Sequence, residues 1–136
     1  MRGIILSTII ICSSLLATNG YEVYKDKCSS CHVEMLGKKQ TLNNLDKLKA
    51  PPMIEVSNRL KENIIIKDDD EDIHRYLVIL FIKDYIINPN LDHFMCHTGA
   101  MERFGTMPSL KGKISDDERQ AVAEWIYDRY EDVEFK

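Results

Sequence analysis

Apolar and polar positions along the chain recur at helical spacing, and nothing alternates for long enough to predict a strand. An apolar stretch runs from Ile4 to Leu16, interrupted by Ser7, Thr8, Ser13 and Ser14. Tyr21 to Ser30 is a short helical candidate, and Gly37 to Gln40 reads as a turn. Pro51-Pro52 breaks the chain, because proline fixes its own φ and restricts the residue before it. Met53, Val56, Leu60 and Ile64 then predict an amphipathic helix over 53–65. The acids Asp68 to Asp72 read as a helix N-cap and first turn, where they favour the positive end of the dipole. A docking or metal-binding patch is the other reading of that run. The helix behind it covers Ile73 to Ile87 and stops at the breaker Asn88-Pro89-Asn90. Ile73, Tyr76, Leu77, Leu80, Phe81 and Tyr85 are assigned to its core face. Val78, Ile79 and Ile82 widen that face, so burial on more than one side is expected. Residues 89–114 read as loop-rich, with Gly99, Gly105, Pro108 and Gly112. Ser115-Asp116-Asp117-Glu118 is a capping box opening a last helix through Ala121, Val122, Trp125, Ile126 and Tyr130. The fold class is all-α with loops.

A length of 136 residues fits one domain. The amino end changes how much of it folds. Arg2, the apolar stretch and then Ala17-Thr18-Asn19-Gly20 have the three-part layout of a secretory signal peptide. Cleavage is expected after Gly20, with Ala17 competing, which makes 1–20 a leader and 21–136 the domain. The stretch is short and interrupted for a membrane span; an uncleaved anchor is the alternative. A lipid anchor on Cys12 is disfavoured by the bulky Ile11 before it. The net charge of −4 becomes more negative when Arg2 leaves. Such a chain does not seek nucleic acid or anionic lipid, and docks best against a basic patch on a protein.

Four cysteines are present, and Cys12 lies in the leader. The remaining Cys28, Cys31 and Cys96 are an odd number in an oxidising compartment, so they are not a disulfide framework. Cys28-Ser29-Ser30-Cys31-His32 carries the most specific chemistry. Residues three apart on a helical turn face the same way. Both thiols can therefore reach one edge of a haem, and His32 can swing under its iron. This is the pattern of c-type haem attachment. A thioredoxin-like pair would need a βαβ context. Zinc would need Cys96-His97 as a second ligand pair, and a Cys28–Cys31 disulfide is a further alternative. Downstream, Phe104-Gly105-Thr106-Met107-Pro108 offers a thioether in a Gly/Pro loop, a soft ligand that raises the potential of haem iron. Met101 and Met53 are the alternatives for that ligand; Met35 is too near His32.

With these residues in place, the chain resembles a small class I c-type cytochrome. Cys28–His32 near the mature amino end, Gly105-Thr106-Met107-Pro108 late, and Ala121–Tyr127 in the last helix carry the likeness in that order. Arg103-Phe104-Gly105 ahead of the Met-Pro is similar to bacterial periplasmic members. The resemblance implies a cytochrome c-like bundle of about four to five helices around one covalently attached haem c. First and last helices would cross, with Trp125 packed on the first. Cys28 and Cys31 would hold the haem, His32 would be its proximal ligand and Met107 its distal ligand. A proline carbonyl, of Pro51 or Pro52, would orient the His32 ring. The stretch from Met53 to Asn90 exceeds a minimal member and suggests an extra helix. The implied function is a periplasmic single-electron carrier, not an enzyme, between respiratory redox proteins. Its partners would present a basic docking patch, and it would meet a membrane only through an uncleaved anchor or a membrane-bound partner. A haem-based sensor with a labile distal ligand, or a subunit of a larger redox complex, are the alternatives. A haem peroxidase is disfavoured, because no acid–base pair is visible beside the distal position.

His93-Phe94-Met95-Cys96-His97 looks like an attachment motif with its first cysteine replaced. A second haem on Cys96, an intermolecular disulfide and a plain half-buried thiol are the readings open to it. His93 or His97 could also stand in for Met107. His74 is expected to be solvated.

Overall fold

The computed structural model describes residues 17–67 and 70–136. The apolar part of the expected leader, residues 1–16, lies outside the described residues, as do Asp68 and Asp69 of the acidic run. Among the described residues six helices follow in order: α1 (Gly20–Lys27), α2 (Lys38–Asn43), α3 (Met53–Asn63), α4 (Glu71–Ile87), α5 (Thr98–Phe104) and α6 (Asp116–Asp128). A 3-10 turn covers Leu91–His93, and no strand occurs among the described residues. The all-α expectation holds, with more helices than four to five. The additions are α2, where a turn was expected, and α5, inside the loop-rich stretch. Neither begins on the Ser, Thr, Asp or Asn side chain that usually caps a helix. Gly37 precedes α2 and makes no side-chain cap, while the His97 ring caps α5 by accepting from the Gly99 amide (3.1 Å).

α6 is the hub, with α1 packed on it and α4 packed on it. The Ser115–Glu118 capping box starts it as expected, each side chain bonding the other's backbone amide. The α1 crossing is close because Gly20 has no side chain. A Cβ there would collide with the Ala121 carbonyl and the Trp125 Cβ. Trp125 then stacks on Tyr24, with ring centroids 4.6 Å apart, and leans on Tyr21. Asn19 caps α1 by accepting from the Tyr21 and Glu22 amides. Asn19 and Gly20 thus form the cap and the first residue of α1.

α4 runs antiparallel to α6 and is tied to it at three points, one of them His74 Nδ1 to the Tyr127 hydroxyl (3.2 Å). Arg75 forks onto Asp128 (2.9 and 2.7 Å), and Lys83 donates to Gln120 (2.5 Å). Its amino end is capped by Asp70, which accepts from the Asp72 and Ile73 amides, as the acidic run predicts. The core face differs from the expectation. Val78, Ile79, Ile82 and Ile86 are buried, whereas Ile73, Tyr76, Leu77 and Leu80 are between 38% and 60% exposed. In a helix that is apolar all round, periodicity cannot choose the buried side. The ties from Arg75 and Lys83 to α6 choose it. The helix is thus not covered on every side. Val23, Tyr24, Ile54, Leu60, Val122, Ile126 and Tyr130 complete a core shared by α1, α3, α4 and α6.

Candidate functional site

Cys28 ends α1, and its amide still bonds the Tyr24 carbonyl (2.9 Å). The turn continues through Cys31 N–H to Cys28 O (3.1 Å) and His32 N–H to Cys28 O (2.9 Å). One turn of chain thereby brings Cys28, Cys31 and His32 to a single apolar cleft, which encloses about 1220 Å³ with its open mouth included. α3 and α4 supply walls, and residues 104–108, at the end of α5 and just after it, line the cleft as well and bring Met107 to it.

The His32 ring is held from behind. Its Nδ1 lies 2.8 Å from the Pro51 carbonyl oxygen. A carbonyl only accepts, so Nδ1 carries the proton and Nε2 keeps its lone pair. Burial pushes the imidazolium down from its ordinary value, against the Pro51 bond, which favours the neutral ring. Of the two prolines expected to orient the ring, Pro51 is the one in place. The backbone beyond the ring is latched as well. Tyr24 donates its hydroxyl to the His32 carbonyl (2.6 Å), and Tyr130 donates to the Glu34 carbonyl (2.8 Å). The Met53 amide donates to the Val33 carbonyl between them (2.8 Å). Burial and the Glu34 charge push the Tyr24 hydroxyl up to about 12, and raise Tyr130 too, so both remain donors at neutral pH.

No disulfide joins Cys28, Cys31 and Cys96. Burial pushes Cys28 up to about 11, with the neighbouring Cys31 adding to the rise. Of the alternative thioethers, Met53 lines the cleft from the start of α3, as does Met95, which no motif singles out. Met101 is not among the lining residues. The run His93–His97 splits apart. Cys96 turns into the same cleft, while His97 is spent on the α5 cap and His93 lies exposed beside Asn90. Thiol and ring thus diverge there, whereas Cys31 and His32 converge. Among the described residues no three His, Cys, Asp or Glu side chains gather as a metal site, so Cys96-His97 does not complete a zinc set. His74 is not solvated as expected: its Nε2 bonds the Lys61 carbonyl (3.1 Å), and its Nδ1 bonds the Tyr127 hydroxyl (3.2 Å).

The donor set fits a haem. Two thiols on one turn suit attachment at one edge of the ring. A neutral imidazole with Nε2 free suits the iron, and a thioether lining the same cleft suits it as a second, soft ligand. The apolar lining suits the porphyrin faces. Phe81, Tyr85 and Phe94 supply much of that lining. Sequence reading placed the first two in the α4 core face and gave the third no role, since their nearness to Cys28 arises only in the fold.

The family model described as "Cytochrome C oxidase, cbb3-type, subunit III" matches residues 16–126. An uncharacterized protein of Aquifex aeolicus (strain VF5) is 38% identical over 125 residues, which span 86% of this chain and 77% of that protein. No solved structure matches the chain.

Proposed function

The chain belongs to the cytochrome c family matched above, a family of haem-based electron transfer, and on that premise we propose that it is an exported single-electron carrier with one haem c. Cys28 and Cys31 would hold the haem through thioethers, and His32 Nε2 and the Met107 thioether would be the ligands that hold its iron. When bound, the haem supplies a reversible one-electron couple. The residues of the chain do the rest. Pro51 fixes the ring and tautomer of His32. Tyr24 and Tyr130 fix the backbone behind it. The apolar walls exclude water, and the Met107 thioether favours the reduced state. With His32 and Met107 both taken up by the iron, no position would be left for a substrate, which would suit a carrier better than an enzyme. The acidic excess of the chain suits a redox partner with a basic patch. The leader-like amino end supports export to the periplasm.

The observation that carries this reading is the convergence of Cys28, Cys31, His32 and Met107 on one cleft. Intact mass and an optical spectrum of the exported protein test it. A mass equal to the bare chain defeats it, and a two-haem mass moves Cys96 into the attachment role. Carbon monoxide added to the reduced protein separates carrier from sensor, because fast binding requires an open distal position. Met107→Ala is expected to abolish the ferric His/Met charge-transfer band; an unchanged band excludes Met107. A subunit of a larger redox complex is the second reading. The description of the matched family as an oxidase subunit and the uncovered apolar side of α4 favour it.

A further inference from the structure

We propose that the outer face of α4 is a docking surface for a protein partner that offers an apolar groove between basic side chains. A helix apolar around its whole circumference is ordinarily covered on all sides. In α4 the chain covers only the side that carries Val78, Ile79, Ile82 and Ile86. Ile73, Tyr76, Leu77 and Leu80 stand exposed on the other. They recur at i, i+3, i+4 and i+7, which makes one ridge about 10 Å long. Such a ridge fits the groove between side-chain rows of a partner's helix.

Charge selects the occupant. Both cations of α4 are turned onto α6, Arg75 to Asp128 and Lys83 to Gln120. The charges left at the ends of the ridge are acids: Glu71 and Asp72 before Ile73, and Asp84 one turn beyond Leu80, all exposed. A second copy laid on the ridge sets acid against acid in either direction. Parallel, Asp84 meets Asp84; antiparallel, it meets Glu71 and Asp72. An anionic bilayer is repelled for the same reason. Lysines or arginines flanking an apolar groove are attracted. Four side chains cover far less than the roughly 800 Å² per partner of a stable interface. The contact is therefore brief, or one part of a wider one. Phe81 and Tyr85 of the same helix line the cofactor cleft, so a partner seated here lies within about one helix diameter, roughly 10 Å, of it.

The surface does not depend on what fills the cleft, although the complex-subunit reading gives it a use. The test uses the full haem-loaded protein in its reduced state, followed by amide chemical shifts. The probe is a synthetic amphipathic helix of about 18 residues, five turns, with leucines on one face and lysines on its flanks. A control peptide carries glutamates for lysines. The lysine peptide is expected to shift amides over 73–84 and to bind at least about tenfold more weakly, about 1.4 kcal/mol, to Leu77→Asp and to the milder Leu80→Ser. Asp84→Asn is expected to weaken binding and flatten its salt dependence. The optical spectrum of each variant reports that it is folded and haem-loaded, so loss of haem and loss of docking are read separately. Shifts centred on the cleft mouth, equal binding of the glutamate peptide, or no saturable binding of the lysine peptide each overturn the proposal. So does a dimer in sedimentation that Leu80→Ser disperses, which assigns the face to a second copy. Flotation with phosphatidylcholine or phosphatidylglycerol vesicles that Leu77→Asp abolishes assigns it to a membrane.

Discussion

Tyr24 and Tyr130 reach the same strip of backbone from different elements, α1 and the turn after α6. The Glu34 carbonyl also accepts from the Ile54 amide (3.3 Å), so losing the Tyr130 donor costs the net worth of one hydrogen bond, about 0.5–1.5 kcal/mol. Tyr130→Phe keeps the ring in the core and removes only that donor. We expect it to lower stability to denaturant by that amount and to shift the reduction potential, because the His32 segment can then relax. A purely structural role would change the first and leave the second unmoved. Cys96 differs in kind. Burial, reinforced by Glu55, pushes it up to about 11 from an ordinary 9.0, so the proton stays on and the thiolate fraction at pH 8 is about a hundredfold lower than in a free thiol. The greater nucleophilicity of a high-pKa thiolate regains about tenfold. Alkylation by iodoacetamide in the haem-loaded protein should therefore run about tenfold slower than for a free thiol and climb with pH to about 11. A rate like that of free cysteine, level above pH 9, would show that Cys96 is neither buried nor raised.

The helices differ in how plainly they are written. The α6 start is legible because capping boxes are local: Ser115 and Glu118 are three residues apart and bond each other's amides. The α4 bounds are legible for the same reason, from Asp70 at one end and Asn88-Pro89 at the other. Its buried side is not, because that choice belongs to Asp128 and Gln120, about forty to fifty residues away along the chain. α2 and α5 are short and begin on Gly37 and His97, residues that announce nothing. The site divides likewise. Cys28, Cys31 and His32 are one local turn, whereas the walls from Phe81, Tyr85 and Phe94 meet it only in the fold. Gly20 is the sharpest case of a residue whose role exists only between elements. In a chain that keeps Gly20, Gly20→Ala raises intrinsic helix propensity by about 1 kcal/mol, yet its Cβ meets backbone of α6 that cannot step aside. Overpacking of this kind costs about 1–3 kcal/mol, so the net change is expected to destabilise. A gain in denaturant midpoint would mean that α1 and α6 are not so close.

At the scale of the molecule, α6 joins α1 and α4 directly, and α3 touches both α4 and α6. α5 packs on no helix to a comparable extent. The segment from Cys96 to Pro108 is tied mainly at its margins. Asn63 donates to the Met95 carbonyl (2.5 Å), Arg103 reaches the Leu45 carbonyl (3.2 Å), and Ser109 and Leu110 bond the carbonyls of Ile87 and Ile86 (2.6 and 2.9 Å). Between those ties Cys96, Ala100 and residues 104–108 line the cleft. What steadies it is therefore whatever the cleft holds, and under the proposed function that is the haem through Met107. Native-state hydrogen exchange of the haem-loaded protein should then show a gradient. Amides over 98–108 should open at a few kcal/mol below the global value, while those of α1 and α6 exchange only with full unfolding. Met107→Ala should lower the opening energy of 98–108 further and leave α1 and α6 close to where they were. Equal protection of α5 and α6 would mean that this wall of the cleft is built by the chain alone, and the distal thioether would lose its part in holding the fold shut.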